Sequence, residues 1–208
     1  LKLVCISDTH NKHKQIEIPD GDVLVHAGDF CSRGSLAEIR DFANWLTDQP
    51  HKHKVVVAGN HDFPFEQMPE RAEPLFESVN YLCDQSVVIG GIKFYGSPWQ
   101  PRFFDWAFNL DRGEPLRTKW RMIPDDTDVL VTHGPMHGVG DLASSGIVCG
   151  CEDLRDEIET RIKPRCHIYG HIHEARGIYQ VGEMVSVNAC SLNLQYKPWR
   201  QPAFTIEL

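Results

Sequence analysis

Seven side chains of types that ligate divalent ions stand just beyond apolar runs of this 208-residue chain, in five separate places. They are Asp8 and His10, Asp29, Asn60, His133, then His171 and His173. Two carboxylates, one amide oxygen and four imidazoles make a set of hard-to-borderline oxygen and nitrogen donors without a thiolate. Such a set suits Mn²⁺, Fe or Zn²⁺ better than copper(I) or an iron–sulfur cluster. Seven donors are too many for one ion, so the expected arrangement is two ions about 3.5–4 Å apart that share a carboxylate. In Asp8-x-His10 and His171-x-His173 the side chains stand two residues apart, on one side of an extended backbone, so each pair can reach one edge of a site. His61 and Asp62 follow Asn60 directly and add a candidate proton donor and a further carboxylate.

Taken singly, each of these residues reads as a turn former, because Asp, Asn and His collect in loops. Their positions argue otherwise, since each cluster directly follows a strand-like apolar run. Lys2 to Ile6 leads into Ser7-Asp8-Thr9-His10, Asp22 to His26 into Ala27-Gly28-Asp29, and Val55-Val56-Val57 into Ala58-Gly59-Asn60-His61-Asp62. Val129-Leu130-Val131 leads into Thr132-His133-Gly134, and His167-Ile168-Tyr169 into Gly170-His171-Ile172-His173. The carboxyl ends of neighbouring parallel strands gather on one edge of a sheet, where open α/β sheets build their sites.

The segments between them supply the rest of the expected fold. Ser35 and Glu38 fit a capping box, and Leu36, Ile39, Ala43 and Leu46 place one apolar face inward, so a helix joins the second and third strands and ends before Pro50. Strand, helix, strand argues for an α/β layer with a partly parallel sheet. Pro64, Pro69 and Pro74 limit Phe63 to Ser78 to short helical pieces. Gly90-Gly91 between Val87-Val88-Ile89 and Ile92-Lys93-Phe94-Tyr95 predicts a hairpin. Further helices are expected near Glu114 to Met122 and along Leu154, Ile158 and Ile162, with Pro164 ending the latter. The tail reads as antiparallel strands at Gly177 to Gln180, Met184 to Asn188 and Ala203 to Ile206. The expected fold is α/β: one domain over 1–208, with two mixed β-sheets packed as a sandwich and flanked by helices.

Asp8-x-His10, Gly28-Asp29, Gly59-Asn60-His61-Asp62, Thr132-His133-Gly134 and Gly170-His171-Ile172-His173 resemble the five motifs of the calcineurin-like metallophosphoesterases, in that family's order and over nearly the whole chain. The surrounding text is most similar to the small class III phosphodiesterase branch, which includes the brain-type metallophosphoesterase-domain proteins. That branch usually ends its third motif in Asn-His-Glu, where this chain has Asp62. The resemblance implies that one metal takes Asp8, His10 and His173, the other takes Asn60, His133 and His171, and Asp29 bridges them. It also implies that His61 protonates the leaving oxygen during in-line attack by a metal-bridging hydroxide, with Asp62 orienting His61. Manganese is favoured, and iron or zinc would also suit. The favoured substrate is a phosphodiester, with cyclic nucleotides included; a phosphomonoesterase or nucleotide pyrophosphatase would use the same site. The non-enzyme alternative is a metal-binding scaffold that docks other proteins.

Trp99, Arg102, Phe103, Phe104, Trp106, Arg112, Trp120 and Arg121 give the 96–121 segment a density of aromatic and arginine residues found nowhere else in the chain. One reading is a satellite hydrophobic cluster under a long loop. The other is a substrate wall in which Trp99 stacks on a base and Arg102 touches phosphate. His137 and Arg176 follow the fourth and fifth motifs closely enough to face the same site.

Composition bounds the function classes. A formal net charge of −8 disfavours a stable complex with nucleic acid, which needs a basic face. Hydrophobic residues at 41% and charged residues at 24% describe an ordinary globular protein, and no apolar run is long enough to span a membrane. Leu1 to Ser7 reads as a strand and not as a signal peptide. Seven cysteines, an odd number, fit free thiols in a reducing cytoplasm, and Cys149-Gly150-Cys151 is one residue short of the common zinc spacing. His51-Lys52-His53 begins the run of a metallo-β-lactamase-type hydrolase, but Lys54-Val55-Val56 ends the likeness.

Overall fold

The computed structural model describes residues 1–208. The first strand, β1 (Lys2–Ile6), shows how the layers arise. Successive side chains of a strand point to opposite faces. Leu3 and Cys5 enter one apolar cluster and Val4 and Ile6 another, so β1 is buried on both sides. The same holds for β2 (Val23–Ala27) and β3 (His53–Val57), where Val25 and Val55 face one cluster and Leu24 and Val56 the other. Runs of Val and Leu without polar alternation are what strands covered on both faces require.

The first sheet has the order β13-β1-β2-β3-β4, with β4 at Asn80–Tyr81 and β13 at Phe204–Glu207. Its β1 to β4 pairings are parallel, and β13 joins β1 antiparallel. The second sheet contains β5 (Gln85–Ile89), β6 (Ile92–Ser97), β9 (Val129–Thr132), β10 (Cys166–Tyr169), β11 (Gly177–Val181) and β12 (Met184–Asn188). It runs β11-β12-β10-β9-β6-β5, parallel in the middle and antiparallel at both edges. A small ladder of β7 (Gln100–Pro101) and β8 (Asn109–Leu110) stands apart. The β5–β6 hairpin turns at Gly90 and Gly91, with φ of 58° and 82°, the two positive values that a type I′ turn demands.

Leu3, Val25 and Val55 of the first sheet meet Phe94, Val131, Ile168 and Val187 of the second, forming the core between the sheets. Outside the first sheet lies α1 (Leu36–Thr47), whose Ile39, Phe42, Ala43 and Leu46 are buried and whose capping box is complete at both halves. Short helices α2 (Pro64–Gln67) and α3 (Pro69–Ala72) lie on the same side. Outside the second sheet lie α4 (Glu114–Trp120) and α5 (Glu152–Glu157), which bury Leu116, Trp120 and Leu154. The expected sandwich of mixed sheets between helices is therefore present. The tail differs in one respect: β11 and β12 pair as expected, but β13 leaves their sheet for the exposed edge of β1. An apolar pattern specifies a strand but not which free edge it will cover.

One buried group makes stability respond to acid. His167 is fully buried on β10, with Nε2 2.8 Å from Thr132 Oγ1, and burial lowers its pKa to about 3. The unfolded chain takes up this proton below an ordinary histidine pKa of about 6.5, while the folded chain does not. Stability is therefore complete above that value and falls as pH drops towards 3. The expected contribution is about 1.4 kcal/mol per pH unit across the interval. Denaturant melts between pH 7 and 4 should show a shallower acid limb for His167→Gln; an unchanged slope would refute this role.

Candidate metal centre

The carboxyl ends of β1, β2 and β3 in one sheet and of β9 and β10 in the other meet along one edge of the sandwich. To face this edge, the chain turns at once where each strand stops. Asp8, His10, Asn11, Asp29 and His171 all adopt left-handed backbone, with φ between 39° and 68°. A non-glycine residue in this region costs about 1–3 kcal/mol, which the surrounding structure must offset. The backbone does so: the N–H groups of Asp8, His10 and Asn11 donate to the carbonyls of Gly28, Asp29 and Phe30. Asn and Asp tolerate this conformation better than most residues. Two glycines are required by close approach. A Cβ at Gly170 would lie 2.0 Å from Asp8 Oδ2, and one at Gly59 would lie 2.3 Å from Asp29 Oδ1.

Three overlapping groups of ligating atoms result: Asp8, His10 and His173; His10, Asp29 and His61; and Asp29, His133 and His171. Asp29 Oδ2 stands near the middle, 3.5 Å from His133 Nε2 and 3.9 Å from Nε2 of both His10 and His61. Asp8 Oδ1 is 3.4 Å from His173 Nε2 and 3.9 Å from His10 Nε2. Asn60 Oδ1 lies 2.9 Å from His133 Nε2, so the amide oxygen joins the second carboxylate group.

The hydrogen bonds around these atoms orient them for ligation. Nδ1 of His10, His133 and His173 lies 3.1, 2.9 and 2.9 Å from the carbonyls of Cys31, Ala27 and Leu192. A carbonyl only accepts, so each Nδ1 carries a proton and each Nε2 faces inward, the nitrogen left to ligate an ion once it carries no proton. Asp8 is held on one side only. Its Oδ2 accepts from Ser7 Oγ at 2.6 Å, from the His171 N–H at 2.9 Å and from Cys190 Sγ at 3.2 Å. Its Oδ1 is buried with no hydrogen-bond partner. A buried carboxylate oxygen left alone is expensive, and a cation satisfies it. These residues could hold divalent metal ions.

Electrostatics point the same way. Burial alone would raise the pKa of Asp29, but the imidazoles of His133, His61 and His10 outweigh it and hold the carboxyl well below its ordinary range. Burial likewise opposes charge at Asp8, and His173, His133 and His10 overcome it. Both carboxylates therefore stay ionised. At His171 burial dominates and lowers the pKa to about 4, so this ring is neutral near pH 7. At His133 burial is opposed by Asp29 and Asp8, and the pKa rises to about 9.

His61 and Asp62 divide their work differently from expectation. Asp62 does not hydrogen-bond His61. Its carboxylate is fully buried and accepts the N–H groups of Asp29, Cys31 and Gly59 at 2.9, 2.9 and 2.7 Å. Asp62 thus ties the turn after β2 to the turn after β3 and sets the spacing of Asp29 and Asn60. The His61 ring is oriented instead by the Ser32 carbonyl, 2.9 Å from Nδ1, and by the Trp106 ring, whose centroid is 4.3 Å away. Its backbone N–H donates to Asp29 Oδ1 at 2.8 Å.

Of the four expected substrate contacts, three are committed elsewhere. Trp99 donates its Nε1–H to Asp84 at 2.9 Å, lies under Lys119 and packs edge-on against Phe108. His137 Nδ1 is 3.7 Å from Glu152, and Arg176 stacks on Phe204 and donates to the Gln201 carbonyl. Arg102 does line a cleft with His171, but it is paired with Asp111 at 2.6 Å. Trp106 of the same segment is the aromatic side chain that reaches the centre, and it packs on the His61 ring. Tyr196, whose ring centroid is 5.0 Å from that of His10, was not anticipated, and no local pattern marks it. Ser7 and Cys190 were also unassigned; only the adjacency of Ser7 to Asp8 hinted at a role.

Residues 1–175 match the family described as Calcineurin-like phosphoesterase. The human Metallophosphoesterase domain-containing protein 1 is 39% identical over 225 aligned residues, covering 97% of this chain and 69% of that protein. A UPF0046 protein of Caenorhabditis elegans is 41% identical over 210 residues, covering 91% of this chain and 74% of that protein. The solved structure of a phosphopantetheinyl hydrolase from Mycobacterium tuberculosis superposes with a TM-score of 0.64 at 16% identity, over 99% of this chain and 95% of its own, a likeness of fold. Family match, close relatives and fold agree with the histidine and aspartate clusters at the strand ends: the chain belongs to the calcineurin-like phosphoesterase family.

Proposed function

We propose that this protein is a two-metal phosphoester hydrolase that acts on phosphodiesters. The observation that supports this most directly is the inward set of Nε2 atoms around Asp29 and the unpartnered Asp8 Oδ1. Asp8, His10 and His173 would hold one ion, Asn60, His133 and His171 the other, and Asp29 would serve both. The donor set favours Mn²⁺, with iron or Zn²⁺ as alternatives. Bound ions would supply Lewis acidity and a water acidified for attack at phosphorus.

The chain's own residues account for the remaining needs. His61 is adjacent to the ligands but keeps Nδ1 on the Ser32 carbonyl, so as an imidazolium it presents Nε2–H to the leaving oxygen. It gives up that proton as the ester bond breaks and recovers one from water. Trp106 covers one face of the ring and restricts its rotation. Asp62 keeps the two turns in register through three backbone N–H groups. Seven unpaired cysteines suit a reducing, cytoplasmic compartment.

The test is metal analysis of the purified protein together with a substrate panel assayed with added Mn²⁺. The panel contains a monoester, a linear diester, and 2′,3′- and 3′,5′-cyclic nucleotides. About two metal equivalents and faster turnover of a diester than of the monoester are expected. Faster monoester turnover would overturn the diester preference. Failure on every ester with both metals bound would favour the scaffold.

A further inference from the structure

A cleft of about 350 Å³ opens beside His171, bounded by Pro101, Phe103, Ile147 and Val148. Its volume is at the low end of the range for small-ligand sites, which runs from about 300 Å³. A larger cavity of about 490 Å³ lies elsewhere, beside Glu17, Ile178 and Arg200, and contains none of the ligating residues. His171 belongs both to the cleft and to the candidate metal centre. The ring of Phe103 meets it edge-on, with 6.2 Å between centroids.

The cleft walls hold apolar groups that the fold leaves uncovered. Phe103 is 50% exposed, Ile147 63% and Val148 43%. Clustered exposed apolar side chains at the rim of a site are a ligand-binding signature. The two cations at the walls are already engaged. Arg102 pairs with Asp111, while Arg112 pairs with Glu152 and donates to the carbonyls of Gly150 and Cys149. Each cation is paired with an acidic side chain, so the walls carry little net positive charge for a second phosphate, and the side formed by Pro101, Phe103, Ile147 and Val148 offers an uncharged ring apolar surface.

We infer that the cleft beside His171 is the subsite for an uncharged, apolar ester substituent of the substrate, a ring of about phenyl size. Resting on the phosphodiesterase reading, the inference adds which diesters are preferred: those whose non-leaving substituent is aromatic or similarly apolar. A phosphoryl group placed against His171 directs one substituent towards Phe103 and Ile147, and His61 serves the other, leaving oxygen. The subsite disfavours esters that carry a further charged phosphate there.

The experiment compares methyl 4-nitrophenyl phosphate with phenyl 4-nitrophenyl phosphate, which share a leaving group and differ only in the retained substituent. The metal-loaded protein should show kcat/KM at least about 10-fold higher for the phenyl ester, a typical gain for a filled apolar pocket. The double variant Phe103→Ser, Ile147→Ser should bring that ratio below about 2-fold, and Phe103→Tyr should largely retain it. Because the readout is a ratio, a general loss of activity cancels. A phenyl-to-methyl ratio near one in the unaltered protein overturns the subsite while leaving the diesterase reading intact. Calorimetric binding of phenylphosphonate and methylphosphonate gives a readout that needs no turnover. Tighter phenylphosphonate binding that the double variant abolishes supports the subsite even where neither ester is hydrolysed, an outcome that would sink the diesterase reading instead. Equal binding of the two phosphonates overturns the subsite.

Discussion

Asp29→Asn should reduce turnover by about 10³-fold, equivalent to about 4 kcal/mol of transition-state stabilisation, and lower metal content together with activity. Asp29 Oδ2 is within 3.9 Å of the Nε2 atoms of His10, His61 and His133, a position no other side chain shares. Asparagine keeps the size of the side chain and an oxygen able to accept the His61 N–H, and it tolerates the φ of 57° at this position. What it removes is the negative charge, which two cations held close together need between them. Metal content by mass spectrometry of the refolded, dialysed variant, with a thermal melt as the control for folding, measures the effect. Full metal occupancy and near-normal turnover would refute a bridging role for Asp29.

His61→Ala should separate catalysis from metal binding. Turnover should fall by about 10²–10⁴-fold, the usual contribution of a positioned acid or base, with metal content unchanged. The reason is geometric: His61 Nδ1 is taken by Ser32, and Asp8, Asp29, Asn60 and the four histidines His10, His133, His171 and His173 already supply the donors expected of two ions. The loss should depend on the ester. A 4-nitrophenolate leaves without help, whereas an alkoxide needs a proton, so the variant should be impaired far more on an alkyl leaving group. Equal losses on both leaving groups would exclude the acid role, and loss of metal in the same proportion as activity would make His61 a ligand.

Much of the site was legible along the chain because strand and turn are local. A run of apolar residues buried on both faces marks a parallel strand, and a polar cluster directly after it marks the carboxyl end. Five such junctions place Asp8, Asp29, Asn60, His133 and His171 on a common edge before any contact is known. The left-handed φ values at Asp8, Asp29 and His171 are less visible, since only the tendencies of Asp, Asn and neighbouring Gly residues suggest them.

Hydrogen-bond partners were not legible. Asp62 stands next to His61 in sequence, and the family resemblance implies that one orients the other. In the fold, Asp62 turns back into the space between two strand ends, where three backbone N–H groups would otherwise lack acceptors. Ser32, 29 residues away along the chain by way of an entire helix and strand, faces His61 instead. The same holds for aromatics: Trp99 and Trp106 lie in one rich segment, yet the β7–β8 ladder sends the first to Asp84 and the second to His61.

The amino-acid sequence by itself thus determined the donor chemistry, the order of the strand ends and the layered α/β fold, because these follow from residue type and short-range periodicity. Tertiary structure alone decided which carboxylate oxygen is left unpartnered, which nitrogen of each imidazole points inward, what holds His61, and where the apolar cleft opens beside His171. Each of these depends on backbone carbonyls, N–H groups or rings contributed by segments far apart in the chain. Their convergence is set by how the two sheets pack, and no local pattern encodes it.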